Sequence, residues 1–539
     1  VSAAREWLER VPFSRVCLIA FSLIVAWHVE ALTDPPYWDA LMGAFVQGHW
    51  HATHSYSPFA LMRDAAFFTE GGACTYPFSV YPTLVGALES AGVGTRESFV
   101  VLHLLSFVAA ATIVAGTFAL LRRGTGGVLA ALVAAALLVQ PSFRALASQM
   151  NMDVLLGACT VMSLLALANA RVARSCAWAF AAVAVKPTGI IVVAAVLASL
   201  VWRRLRTADF PRAQGEADSG STASASDSSA SAEDVDRARR RAWLGGIVFL
   251  AGVFVLFVLE LVALAHWGKS QPGVALFGGV GQFLGKRLWT LPEFALGLAL
   301  FLLLAPWLVA RILRSRATPL EVDLTIFLLA FSGFYCQYLN VLPRYYLQAW
   351  PALLGVLVLA AGRLRVTPKL TAGLLVAFGV VGLVNAHGRF HPVKWSDWNV
   401  PDDARPLVSN EGWLLERSLE YRDDLAMNRA IAARCSTLDV RVVADWPILQ
   451  LLSVPRLGYV ERPVRLAAAG RTLEFAPEPI PLQGRLPSEE ERVWVVTPNV
   501  YDSEFSRVFR GDVLLETFSF GRLRAFLLRR PPGSVRDGR

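Results

Sequence analysis

Long apolar runs closed by arginines or prolines set the rhythm of this chain. They occupy residues 16–32, 99–121, 127–139, 154–170, 176–202, 243–267, 294–313, 324–339, 347–361 and 370–385, with almost no charge inside them. A helix of about 20 apolar residues crosses a hydrocarbon core about 30 Å thick, so the runs predict membrane-spanning helices. A barrel would alternate apolar and polar residues over about ten positions, and these runs do not. The stretch 176–202 is broken by Lys186-Pro187-Thr188-Gly189 and flanked by arginines at both ends, Arg171 and Arg174 before it and Arg203, Arg204 and Arg206 after it. Two short helices with an outer turn fit that pattern better than one long helix, which would leave positive clusters on opposite sides. The expected total is about eleven crossings.

Arginines also orient the helices. Arg5, Arg10 and Arg15 precede the first run, and Arg122-Arg123, Arg311, Arg314, Arg316, Arg363 and Arg365 close later ones. The positive-inside rule then predicts a cytoplasmic N-terminus, and an odd number of crossings predicts a C-terminal region on the outer, periplasmic face of the cell's inner membrane. Glu30 and Asp34-Pro35-Pro36 follow the first run where a cleaved signal would have small residues, so a retained helix is expected.

The polar segments divide the rest. Residues 1–386 form the expected transmembrane domain, with a long first outer loop at 33–97 in which 40–46 and 58–68 look like interfacial amphipathic helices. Residues 207–237 are rich in Ser, Ala, Asp and Gly and close in an arginine cluster, the composition of a disordered cytoplasmic linker. From 387 to 539 the pattern becomes that of a small α/β domain, with a helix over 416–434 and buried strands over 440–444, 493–497 and 523–528. The fold class is thus an α-helical polytopic membrane protein with a C-terminal extracytoplasmic α/β domain.

Composition agrees: 55% of the 539 residues are hydrophobic, only 17% are charged, and the mean hydropathy is +0.47. The net charge of +9 comes from arginines at helix ends, which argues against nucleic acid as a partner. Six cysteines are too few and scattered for a disulfide framework, although a single Cys74–Cys435 pair on the outer side stays open. Walker, dinucleotide-binding and G-x-S-x-G patterns are missing, so nucleotide-dependent chemistry has no support.

Charges that orientation does not require are the candidates for chemistry. Arg63, Arg96, Arg144, Lys186, Lys269, Lys286, Arg287 and Arg344 fall on or near the outer face. Lys186 and Arg344 sit beside prolines at helix breaks, where they suit a phosphate clamp, arginine as a fork and lysine as a point charge. The bland alternative is snorkelling or an ion pair with Asp153 or Glu293. Asp39 stands between Trp38 and an amphipathic helix, well placed for a base; Asp34 precedes Pro35 and suits a turn cap; Asp153 suits a second functional acid or a first-turn helix acid. His49, His51 and His54 lack further ligands at regular spacing, so a metal signal is weak, no cofactor is certain and a divalent cation stays open. Histidines that hydrogen-bond a sugar or phosphate, or merely face water, are the stronger reading.

Four features together resemble a known class: an early acid in a long outer loop, Tyr81-Pro82-Thr83-Leu84 before the second helix, Lys186-Pro187-Thr188-Gly189 in a broken pair, and Arg344-Tyr345-Tyr346 before the tenth helix. With the outer α/β tail they look like the polytopic GT-C class glycosyltransferases, similar in pattern to bacterial aminoarabinose transferases and protein O-mannosyltransferases. The resemblance implies a polyprenyl-phosphate-linked sugar donor, an inverting transfer without a nucleotide sugar, and a lipid, glycan or protein acceptor. It implies a catalytic acid at Asp39, with Asp34 and Asp153 as further candidates. Carried over by position, Arg344 and Lys186 match basic positions near the donor phosphate; Arg144 and Tyr345 are further candidates for binding it, and His51, His54 and Tyr81 are candidates for contact with the sugar or acceptor. The chain departs from the mannosyltransferase pattern in having Ala40 where a second acid would follow Asp39, which keeps Asp34 in play. A transporter or lipid flippase is the rival. It would be expected to carry matched broken helices in two halves, and only the break at Lys186-Pro187 is present.

Overall fold

A computed structural model describes residues 2–37, 40–58, 60–61, 79–206, 241–258, 291–335, 343–391, 412–444, 448–467, 492–496 and 513–530. Asp39, Arg63, Cys74, Lys269, Lys286, Arg287, Cys336 and the expected linker at 207–237 lie outside the described residues.

The chain starts with the short helix α1 (Ser2–Arg10) and turns at Pro12 into α2 (Phe13–His28), which tightens into a 3-10 turn at Val29–Thr33. The first loop contributes a π-helix at Ala40–Val46, α3 (Gln47–Thr53) and α4 (Val80–Ser90). Then come α5 (Thr95–Thr125), α6 (Gly127–Leu138) and α7 (Pro141–Ala147). Residues around Arg144 fall between the apolar runs 127–139 and 154–170, where the pattern predicts no helix. They form α7 instead, bent by 67° from α6, because Gln140 takes the extended backbone that the residue before a proline favours and Pro141 opens a new first turn.

The bundle continues with α8 (Met152–Ala168), α9 (Val172–Val185), a 3-10 turn at Pro187–Gly189, and α10 (Ile190–Arg206). A Cβ on Gly189 would stand 2.2 Å from the Ala182 carbonyl carbon. In a straight helix those residues would be about 10 Å apart, so the chain has doubled back as the flanking arginines predict. Helices α11 (Arg241–Val258), α12 (Pro292–Leu313), α13 (Pro319–Tyr335), α14 (Trp350–Arg363) and α15 (Pro368–Val384) complete it, with a 3-10 turn at Pro343–Tyr346. Helix α13 begins five residues before the expected 324, because Thr318 and Glu321 cap each other's backbone N–H groups, at 2.6 and 3.3 Å.

Among the described residues, five helices are long and apolar enough to cross a membrane, or six if α6 and α7 count as one bent span. Four shorter apolar helices, α8, α9, α14 and α15, pack with them. Large apolar side chains point outward, among them Leu18, Val248, Leu296, Leu303 and Leu374, and a surface of that kind needs lipid to cover it. The arginine-rich end of the bundle is tied by Arg203 to Asp323 and by Arg363 Nε to Glu321 Oε1 at 2.7 Å.

The C-terminal part consists of a 3-10 turn at Gly412–Arg417, α16 (Tyr421–Cys435), β1 (Arg441–Val443), α17 (Ile448–Ser453), β2 (Leu466–Ala467), β3 (Arg492–Val496), β4 (Val513–Phe520) and β5 (Leu523–Arg530). The sheet order is β2-β1-β3-β5-β4, parallel around β1 and antiparallel around β5. The helix expected from 416 starts at Tyr421, because the Leu419 N–H is tied to the Ala386 carbonyl at the end of α15. Leu419, Leu425 and Ile431 are buried. Cys435 is a free, fully buried thiol, and Cys74, considered as its partner, lies outside the described residues.

The C-terminal part is no separate appendage. Tyr37, Leu41, Tyr81 and Phe99 from the first loop and α5 share one apolar core with Leu415, Tyr421, Leu425 and Leu457. Polar contacts clasp it further: Tyr37 Oη donates to Asp424 at 2.8 Å and Tyr459 Oη to the Pro36 carbonyl at 3.2 Å.

Candidate active site

A buried ionic cluster lies where helix ends of the bundle meet the C-terminal part. Asn151 caps α8, its Oδ1 accepting from the Asp153 N–H at 2.8 Å, which fixes Asp153 in the first turn. Lys186 has the extended backbone that Pro187 imposes and sits at the turn between α9 and the 3-10 segment. Its Nζ donates to Asp153 Oδ2 at 2.8 Å. Arg344, in the turn before α14, brings Nε within 3.8 Å of the same oxygen and donates through Nη1 to Glu416 Oε2 at 2.6 Å. All four side chains are at most 3% exposed.

Tyr345 binds the two cations together from one side. Its ring centre lies 4.8 Å from Lys186 Nζ and 5.6 Å from Arg344 Cζ, within cation–π range, and the ring stacks on Tyr335. Asp153 Oδ1 is buried with no hydrogen-bond partner among the described residues, an acceptor left open beside two cations. Among the described residues two positive and two negative groups balance here. Such a group persists out of water only because each charge has a partner.

The sequence brought Lys186, Arg344, Asp153 and Tyr345 forward, and the structure assembles all four. It also realises the bland alternative for Lys186, an ion pair with Asp153. Glu293, the other partner considered, lies instead 3.2 Å from the His391 ring. Glu416 was missed. It lies beyond the last apolar run, at the expected start of a helix, where an acid reads as a favourable first-turn charge, and only the docking of the C-terminal part buries it.

The other candidates divide between this cluster and elsewhere. Ser79 Oγ donates to the Val185 carbonyl at 2.6 Å, which pins the start of α4, and with it Tyr81, next to Lys186. Tyr81 is buried, its hydroxyl has no hydrogen-bond partner among the described residues, and burial raises its pKa. Asp34 lies apart, 3.1 Å from Arg429 of α16, with its backbone carbonyl on His103. Burial raises its pKa although Arg429 opposes the shift. Arg144 lies over the Trp27 ring at 5.0 Å. His51 is buried, with Nδ1 2.9 Å from the Ser55 carbonyl and its ring stacked on Tyr56; burial lowers its pKa. His54 is exposed and lies parallel to the Trp50 ring at 5.3 Å. Among the described residues no group of three His, Cys, Asp or Glu side chains is placed to hold a metal ion.

No protein-family model matches the chain, and no curated protein matches it in sequence. Among solved structures it is similar to ArnT from Cupriavidus metallidurans bound to undecaprenyl phosphate, at 14% identity and a TM-score of 0.46, over 96% of this chain and 97% of that one. It is similar also to ArnT of the same organism in the apo state, at 16% identity and a TM-score of 0.42, over 94% of this chain and 97% of that one. A third is the Archaeoglobus fulgidus oligosaccharyltransferase in the apo form, at 13% identity and a TM-score of 0.39, over 96% of this chain and 74% of that one. These neighbours are GT-C glycosyltransferases.

Proposed function

We propose that the chain is an integral membrane glycosyltransferase that moves a sugar from a polyprenyl-phosphate donor to a lipid, glycan or protein acceptor on the periplasmic face. In this reading the chain crosses the inner membrane about eleven times and carries its C-terminal domain outside. The observation that carries the proposal is the buried pairing of Lys186 and Arg344 around Tyr345, at the end of the bundle that the C-terminal part covers.

In the reaction an acceptor hydroxyl or amine attacks the anomeric carbon, its proton passes to a carboxylate, and the bond from carbon to phosphate oxygen breaks. The electron pair leaves with the polyprenyl phosphate, whose charge grows as the bond breaks. Cations held rigidly where that charge develops lower the barrier most, because they need no rearrangement during the step. Lys186 and Arg344 take that role. Asp153 and Glu416 hold them in place, and the phosphate competes with these carboxylates for the same N–H donors. Asp39 is the base in this scheme.

The test is transfer of labelled sugar from polyprenyl-phosphate donors in reconstituted protein, with Asp39→Asn and Arg344→Ala beside the unmodified chain. Each substitution is expected to abolish transfer in a folded protein. Undiminished transfer by Asp39→Asn would remove the base assignment, and by Arg344→Ala the clamp.

A further inference from the structure

A second site lies at the far end of α4. The cleft there opens to solvent, and its walls come from the π-helix at Ala40–Val46, α3, α4, the start of α5 and the 454–457 turn of the C-terminal part. Its walls are firmly set: a Cβ on Gly86 would come within 2.6 Å of the Gly48 carbonyl oxygen, so α3 and α4 touch backbone to backbone. Phe45, Trp50, Val85 and Leu457 give it an apolar floor.

The rim is polar and electrically balanced. Glu89 Oε1 receives both His49 Nδ1, at 2.7 Å, and Arg456 Nε, at 3.0 Å. The other carboxylate oxygen remains an acceptor, and the partly exposed guanidinium keeps its terminal nitrogens as donors. A free anion would meet Glu89, a cation would meet Arg456, and a plain acyl chain would leave both groups unanswered. A neutral polyol with one apolar face satisfies all of them: ring C–H groups against the floor, adjacent hydroxyls on the carboxylate and guanidinium.

We infer that this cleft binds a pyranose unit of a saccharide. Ser79 ties one end of α4 beside Lys186, and Glu89 lies ten residues further on, so the cleft is about 15 Å from the ion-pair cluster along the helix. An extended glycan spans that distance, which makes the cleft an anchor for the acceptor remote from the reacting bond. Assigning the sugar to the acceptor rests on the transferase reading; the binding itself does not.

The experiment is ligand-observed saturation-transfer NMR on the full chain in nanodiscs with maltotriose, chitotriose and mannotriose as probes, each variant first checked to be folded at the measuring temperature. At least one probe is expected to bind the unmodified protein, with affinity reduced about tenfold by Glu89→Gln and by Arg456→Ala, and unchanged by Lys186→Met. Arg456 is partly exposed, so its variant reports on the cleft even if Glu89→Gln fails to fold. No binding of any probe, or binding indifferent to both rim substitutions, would overturn the inference. Loss on Lys186→Met with retention in both rim variants would place the sugar at the ion-pair cluster and overturn it equally. Binding with the expected pattern in a protein that transfers nothing would leave this inference standing and remove the transferase reading.

Discussion

Replacing Lys186 by methionine separates a phosphate clamp from a purely structural ion pair. The substitution keeps length and apolar volume but strands the Asp153 carboxylate, which is 2% exposed and loses its 2.8 Å donor. Removing one member of a buried pair costs about 3–5 kcal/mol. The variant should therefore unfold at lower temperature in nanodiscs. Lys186→Met with Asp153→Asn leaves no stranded charge, and most of that stability should return. Lipid-phosphate binding should not return with it. One hydrogen bond to a charged phosphate is worth about 1.5–3 kcal/mol, or roughly 10- to 150-fold in Kd. Binding of undecaprenyl phosphate, read by native mass spectrometry, should weaken by that factor in both variants. If the double variant regains stability and binds the lipid phosphate as tightly as the unmodified chain, Lys186 is a structural strut and the clamp is refuted.

Glu416→Gln keeps a hydrogen-bond acceptor for Arg344 but removes the charge that competes with phosphate, so undecaprenyl phosphate should bind up to about tenfold more tightly in the same assay. Weaker binding would mean that Glu416 is needed to aim Arg344. Burial holds the Asp34 carboxyl above its ordinary pKa, so its ionisation costs stability as pH rises through the raised value. Asp34→Asn should melt at the same or a higher temperature than the unmodified chain at pH 7, with the difference closing below pH about 4. A clear loss of stability at pH 7 would show that the Arg429 pair outweighs burial. Gly189→Ala places a methyl group against the Ala182 backbone and should sharply reduce the folded yield by fluorescence-detected size exclusion, whereas Gly333→Ala, with open space around it, should leave the yield unchanged.

The helices were legible because lipid demands long apolar runs and places charges at their ends. The 127–139, 294–313 and 370–385 runs reappear within a few residues in α6, α12 and α15. The reversal at Lys186 was legible because Pro187 and Gly189 are local signals. Capping chemistry was also written in the chain, at Thr318-Pro319-Leu320-Glu321, but apolar pattern alone passes over it. Strand β4 escaped notice because it is an edge strand with Val513 and Leu514 exposed, and so lacks the burial pattern of β1 and β3. The pairing at the site was the least legible. Nothing local distinguishes Glu416, which meets Arg344, from Glu420, which meets Arg522; long-range docking decides it.

The most direct test of the central claim follows one molecule of donor. The purified chain, reconstituted in vesicles, is given a polyprenyl-phosphate sugar labelled separately in the sugar and in the lipid, with membrane extract as acceptor. Sugar label appearing on an acceptor while lipid label remains as free polyprenyl phosphate is the predicted result. Both labels crossing the bilayer together, still joined, would contradict it and make the protein a lipid transporter.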